Sequence, residues 1–222
     1  MYILKDMPEQ VPQADLDLLS NVETATVGHW RLFGFMDRGI QPLLPKRRVV
    51  GTAVTLAIAG SDSTLLHHAT GMLRPGDILV VDRLGDDKYA CWGGGVTVAA
   101  KAAGAVAGIV DGPCTDLTEI EDSDFPMWSR GLSPITTRLY DLGGGLNIPV
   151  SCGGAVVMPG DAILADESGV LVIPRNEVRA VAEKALGMQE TGKKREASVR
   201  DKVQKLGEMS GASAKVLAKA GA

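Results

Sequence analysis

A long apolar run, Val49 to Ala59 (VVGTAVTLAIA), is rich in β-branched residues and reads as a buried strand. After it, residues 63–72 (STLLHHATGM) read as a helix that Asp62 or Ser63 can cap. Arg74-Pro75-Gly76-Asp77 is turn chemistry, and Ile78 to Val81 is a short, fully apolar strand. VTVAAKAAGA predicts a helix ended by Gly104, and residues 106–110 a second buried strand. A short helix and the strand FPMWS follow. Upstream, residues 14–22 carry Leu16, Leu18, Leu19 and Val22 at helical spacing. Thr24 or Thr26 can cap a further helix over about residues 27–38, and PLLPKRR reads as a loop.

From residue 133 the pattern changes to short apolar strands separated by Gly, Pro and Asp turns. The charged, Ala-rich stretch 175–219 reads as one or two long surface helices. With no internal repeat and no linker, the β-α-β beginning and the β-rich end share one core. The expected architecture is α/β in class, with α/β/β layers: one domain over 1–222, its core about 20–175 and a helical segment about 176–219.

Composition refines this picture. The 222 residues suffice for one well-buried core. Aromatics are only 4%, so Val, Ala, Leu and Ile must fill it; 27 glycines imply tight turns or backbone-lined sites. A net charge of −4 carries no electrostatic footprint for nucleic acid. The basic cluster Lys46-Arg47-Arg48 is either a solvated loop or an anion contact. Three cysteines without a CxxC pair argue against a disulfide framework and structural zinc. The start lacks the basic and apolar regions of a signal peptide, and no apolar run reaches membrane-spanning length. The expected location is cytoplasmic.

Two stretches can carry chemistry. Trp92-Gly93-Gly94-Gly95 precedes a helix, where amide groups and the helix dipole favour an anion; the alternative is a flexible turn. It is neither GxGxxG nor a P-loop, which argues against a nucleotide. Asp111 to Asp116 (DGPCTD) follows a buried strand, where α/β proteins place their sites. Asp116 with water can hold Mg²⁺, or Asp111 or Asp116 can simply cap the next helix. The acids Asp161, Asp166 and Glu167 are spaced like metal ligands or, in their Gly-rich settings, form plain β-turns. Adjacent His67 and His68 point to different helix faces, and His29 is isolated. Cys114 is either a nucleophile or a small buried residue. Asp82, Asp86 and Asp87 are either outer metal contacts or a solvated loop.

In order, VVGTAVTL, RPGDILVVD, CWGGGVTVAAKAAGAVAGIVDG, FPMWSRG, MPGDAILADESGVLVIP and the charged tail resemble the RraA-like/4-hydroxy-4-methyl-2-oxoglutarate aldolase family, the class II pyruvate aldolases, over about residues 20–205. The resemblance implies a swivelling-domain-like α/β/β fold and ring-shaped homotrimers, sometimes stacked as hexamers. It implies an intersubunit site and Mg²⁺- or Mn²⁺-dependent cleavage of 4-hydroxy-2-oxo acids, or decarboxylation of oxaloacetate, through a pyruvate enolate. Gly93, Gly94 and Gly95 would bind the substrate carboxylate, and Asp116 would link to the metal. Thr115 stands where the family has an arginine, so another cation, Arg83 or Arg130, would substitute, the substrate would differ, or the chemistry would be lost. The tail KKREASVRDK reads as a solvated helix face, or Glu190 or Glu196 reaches into a neighbouring subunit. The rival expectation is a non-catalytic binding protein, since RraA itself is a regulator that binds a ribonuclease.

Overall fold

The computed structural model describes residues 1–220. The chain begins with strand β1 (Tyr2–Leu4) and helices α1 (Gln13–Leu19) and α2 (Thr24–Gly28), then reaches β2 (Gln41–Pro42) and the long β3 (Val49–Ala57). Three crossovers follow: α3 (Thr64–Thr70) to β4 (Asp77–Asp82), α4 (Gly94–Ala102) to β5 (Ala107–Val110), and α5 (Leu117–Asp122) to β6 (Met127–Ser129). Strands β3, β4, β5 and β6 pair in parallel in that order. Such a parallel sheet must be covered on both faces, which explains why its strands are apolar almost throughout.

The second half supplies the other cover. Strands β7 (Gly144–Leu146), β8 (Val150–Cys152), β9 (Ala155–Val157), β10 (Ala162–Asp166) and β11 (Gly169–Ile173) are short. β3 forks: its first half pairs antiparallel with β10 (Thr52 opposite Ala162), and its end pairs antiparallel with β7 (Leu56 opposite Leu146). Alternation along β3 sends Val54 and Leu56 to the helical side, among Leu66, Ala100 and Ile120. It sends Ala53 and Ala57 to the other side, against the β8–β9 hairpin through Val150 and Val157. Helix, sheet and hairpin therefore stack as α/β/β, as expected. A third core lies where α1, α2 and the 23-residue helix α6 (Val178–Arg200) pack on β10 and β11. Helices α7 (Leu206–Met209) and α8 (Ala212–Ala220) bury no residue.

One expected helix is corrected. In place of a helix over about 27–38, α2 stops at Gly28 and the chain runs extended beside β11. The Met36 amide donates to Val170 O at 2.9 Å, and the Val172 amide to Gly34 O at 2.8 Å. Gly34 takes φ +88°, and a Cβ there would stand 2.4 Å from Val172 O. Pairing with a strand edge outweighs helical propensity at that point. Thr24 is no cap: it is buried, and its amide and hydroxyl donate to the Asp166 carboxylate at 2.8 and 2.6 Å. The basic cluster is neutralised at Arg47 by Asp124 and at Arg48 by Glu23.

Candidate functional site

The loops leaving the carboxyl ends of β4 and β5 converge on the start of α4. Thr115 donates its amide to Trp92 O at 2.9 Å, so the DGPCTD loop is tied to the segment entering the glycine turn. A cleft of about 380 Å³ opens there, walled by the turn (Gly93, Gly95, Val96), by Thr115 and Asp116, by α3 and by the loop 136–139.

Asp116 adopts a left-handed conformation, φ 54° and ψ 48°. This directs its carboxylate away from the helix it precedes and toward α4, whose Gly94 amide donates to Oδ2 at 3.0 Å. Asp116 stands at the N-cap position of α5, as the sequence offered, while its side chain bonds the start of α4 instead. The other oxygen, Oδ1, has only the Thr115 hydroxyl at 3.3 Å. Gly93 is required by this contact, since a Cβ would stand 2.3 Å from Asp116 Oδ2. The Gly94 amide is therefore engaged by the protein itself. The Gly95 and Val96 amides, which have no acceptor within their helix, remain for a ligand at the cleft.

The candidate arginines fall in three settings. Arg83 is fully buried and away from the cleft lining. Its Nη2 donates to Gly60 O, to Asp86 Oδ2 at 3.1 Å and to Tyr89 O at 3.2 Å, while Nε and Nη1 have no partner. Arg130 is spent on two carboxylates, Asp111 at 2.5 Å and Asp37 at 3.1 Å; the Asp111 bond, chiefly, raises its pKa. Arg138, which sequence reasoning passed over, lines the cleft together with His67. No local motif marks it, since the loop 133–143 lacks regular structure and its position depends on contacts with residues 61–63 and 90.

The remaining candidates are structural. Cys91 and Cys114 are buried, and desolvation raises both thiols, Cys91 to about 11, so neither is a ready thiolate at neutral pH. Asp82 accepts from the Leu84 and Ser151 amides, Asp86 from Arg83 and Tyr89, and Asp111 from Arg130 and Gly153. Asp161 closes a turn through the Met158 amide. Glu190 pairs with Lys194 on the surface of α6. A larger groove, about 840 Å³, lies between α2 and α6, with Lys184, Glu196 and other solvated charges on its walls; it does not reach Asp116.

Among the described residues no three His, Cys, Asp or Glu side chains converge as a metal cage. Asp116 is exposed, and its Oδ1 is bonded only to the Thr115 hydroxyl among the described residues. That donor set suits a hard cation keeping most of its waters, such as Mg²⁺ or Mn²⁺, and does not suit zinc.

Known proteins resemble the chain on the same elements. The RraA-like family profile, described as Aldolase/RraA, matches residues 21–172. A protein of Halalkalibacterium halodurans named "Putative 4-hydroxy-4-methyl-2-oxoglutarate aldolase" is 35% identical over 164 residues, 74% of this chain and 78% of its own. An uncharacterized protein of Methanocaldococcus jannaschii is 32% identical over 160 residues, 70% of this chain and 76% of its own. Among solved structures, Streptomyces coelicolor RraAS2, described as an unusual member of the RNase ES inhibitor RraA family, superposes with TM-score 0.77 at 24% identity, covering 85% of this chain and 98% of its own. With the profile matching residues 21–172 and a relative 35% identical over 78% of its own length, the chain belongs to the RraA-like family, Aldolase/RraA.

Proposed function

We propose that the protein is a divalent-metal-dependent carbon–carbon lyase that cleaves a small 2-oxo acid, an aldolase or decarboxylase working through a pyruvate-type enolate. The observation that carries this reading is the 3.0 Å bond between Gly94 N–H and Asp116 Oδ2. It holds a carboxylate and a helix N-terminus together at the mouth of one cleft.

Each part has a task. The Gly95 and Val96 amides bind the substrate carboxylate, aided by the positive end of α4. Asp116, its Oδ2 fixed by Gly94, presents Oδ1 to Mg²⁺ or Mn²⁺. When bound, that cation supplies Lewis acidity toward the ketone oxygen. The Thr115 hydroxyl, donated to Asp116 Oδ1 at 3.3 Å, steadies that carboxylate and brings no charge to the cleft. Arg83, fully buried and absent from the cleft lining, acts only as a buried charge behind Cys91. The family's ring assembly, a homotrimer or hexamer with the site between subunits, is part of the proposal, and light scattering on the purified protein tests it. No described helix is long and apolar enough to cross a membrane.

The test is pyruvate release from 4-hydroxy-2-oxo acids and from oxaloacetate, with Mg²⁺ and with chelator. Asp116→Asn is expected to lower turnover on the order of 100-fold. Turnover that ignores both chelator and Asp116→Asn removes the reading. Thr115 favours a second reading, that of a binding protein without catalysis, because a neutral residue occupies the position beside Asp116. Under that reading Thr115→Arg gains no activity and a large protein co-purifies independently of metal. Under the lyase reading Thr115→Arg raises pyruvate release.

A further inference from the structure

We infer that Arg138 is the substrate-orienting cation of the cleft, meeting a carboxylate of the bound acid with its free guanidinium edge. This rests on the lyase reading of the same cleft and assigns a residue that reading leaves out.

Arg138 is the one guanidinium or ammonium group among the described residues lining the cleft. Its Nη1 is fastened within its own loop, donating to Thr136 O at 3.1 Å, Thr136 Oγ1 at 2.9 Å and Thr137 O at 3.0 Å. Among the described residues Nε and Nη2 have no partner and Arg138 forms no ion pair, unlike Arg83 and Arg130. These two donors form one edge of a planar fork, the geometry that grips a carboxylate through two parallel bonds.

The loop beneath is fixed on both flanks. The Ser63 amide donates to Arg138 O and the Arg138 amide to Ser61 O, each at 2.9 Å. The Ala90 amide donates to Ile135 O at 2.8 Å and the Thr137 amide to Ala90 O at 3.2 Å, so the loop is laced to the segment that enters the glycine turn. An arginine whose backbone and Nη1 are already held loses little further freedom on binding an anion. Asp116 draws a cation, and Arg138 and the α4 amides draw the negative oxygens. A small acid carrying both a carboxylate and an adjacent oxygen fits that division of charge.

The experiment is calorimetric titration of the full chain with oxalate, a small dianion, in Mg²⁺ and in chelator. Wild type is expected to bind oxalate in Mg²⁺. Arg138→Gln should weaken binding about 10-fold or more with unchanged melting temperature, and raise KM more than it lowers kcat. Arg138→Lys, which keeps the charge and loses the fork, should fall between. If both variants bind oxalate as wild type does, the Arg138 assignment is overturned and the lyase reading stands. If Arg138→Gln unfolds, the Lys variant decides in the same way. If wild type fails to bind oxalate, or Asp116→Asn binds it equally well, the lyase reading falls and the Arg138 assignment with it.

Discussion

Gly93 and Gly95 are two residues apart in one triglycine run, yet they are held by different constraints. At Gly93 a side chain would collide with Asp116 Oδ2 and with Thr115 Cγ2 at 2.8 Å; at Gly95 nothing lies within 4 Å. Gly93→Ala is therefore expected to push Asp116 off the Gly94 amide, lowering both stability and Mg²⁺-dependent oxalate binding. Gly95→Ala fills open space in the first turn of a helix and should stabilise by about 0.5 kcal/mol. Thermal melts of the two variants, with opposite signs, check this. The glycine run and Asp116 were both readable in the sequence because a helix start after glycines and an acid after a buried strand are local signals. That Asp116 bonds across to Gly94 was not, because it depends on a left-handed backbone at one residue and a 22-residue loop closure. Arg138 was unreadable for the same reason: its place is set by long-range backbone bonds.

At the scale of elements, Asp62 fastens α3 to the loop that carries Arg138. Its Oδ1 accepts from the Thr64 amide and hydroxyl and the Tyr140 amide, and its Oδ2 from the Leu142 amide. Burial alone would raise this carboxyl, but the four donors outweigh it and hold it down at about 2 against an ordinary 3.8. A depressed acid contributes stability that is complete above 3.8 and lost as pH falls through 2. The stake is roughly 2 kcal/mol. Acid titration followed by circular dichroism should show that loss in wild type and not in Asp62→Asn, which lacks it at every pH. A second fastening is the buried Arg83, whose one carboxylate partner is Asp86. Asp86→Ala leaves a buried guanidinium unpaired and should cost about 3 kcal/mol, more than Arg83→Met, which removes the charge along with its need. Urea midpoints of the two variants decide the order. Sequence patterning gave the strands and α3 to α5 well, since each is apolar at the period of its element. It misread residues 27–38 because an apolar, aromatic-bearing stretch with two glycines fits a sheet edge as well as a helix, and only β11 makes that edge available.

At the scale of the molecule, three cores account for the fold, and none extends past the third turn of α6. The last fully buried residue of α6 is Ala185, with Leu186 packed partly against the third core. Beyond it, α6 runs on as a charged rod, and α7 and α8 leave Leu206, Val216 and Leu217 exposed. Hydrophobic stabilisation scales with apolar area removed from water, so a segment that buries nothing contributes little to the folded state. A chain ended after Arg200 is therefore expected to melt within about 0.5 kcal/mol of the full chain and to keep oxalate binding. The same truncation separates folding from assembly. If light scattering shows the shortened chain in a smaller particle while its melt is unchanged, the exposed leucines and valines of α7 and α8 serve contacts between chains. A large fall in stability would mean instead that the tail supports the three cores, against the burial seen here.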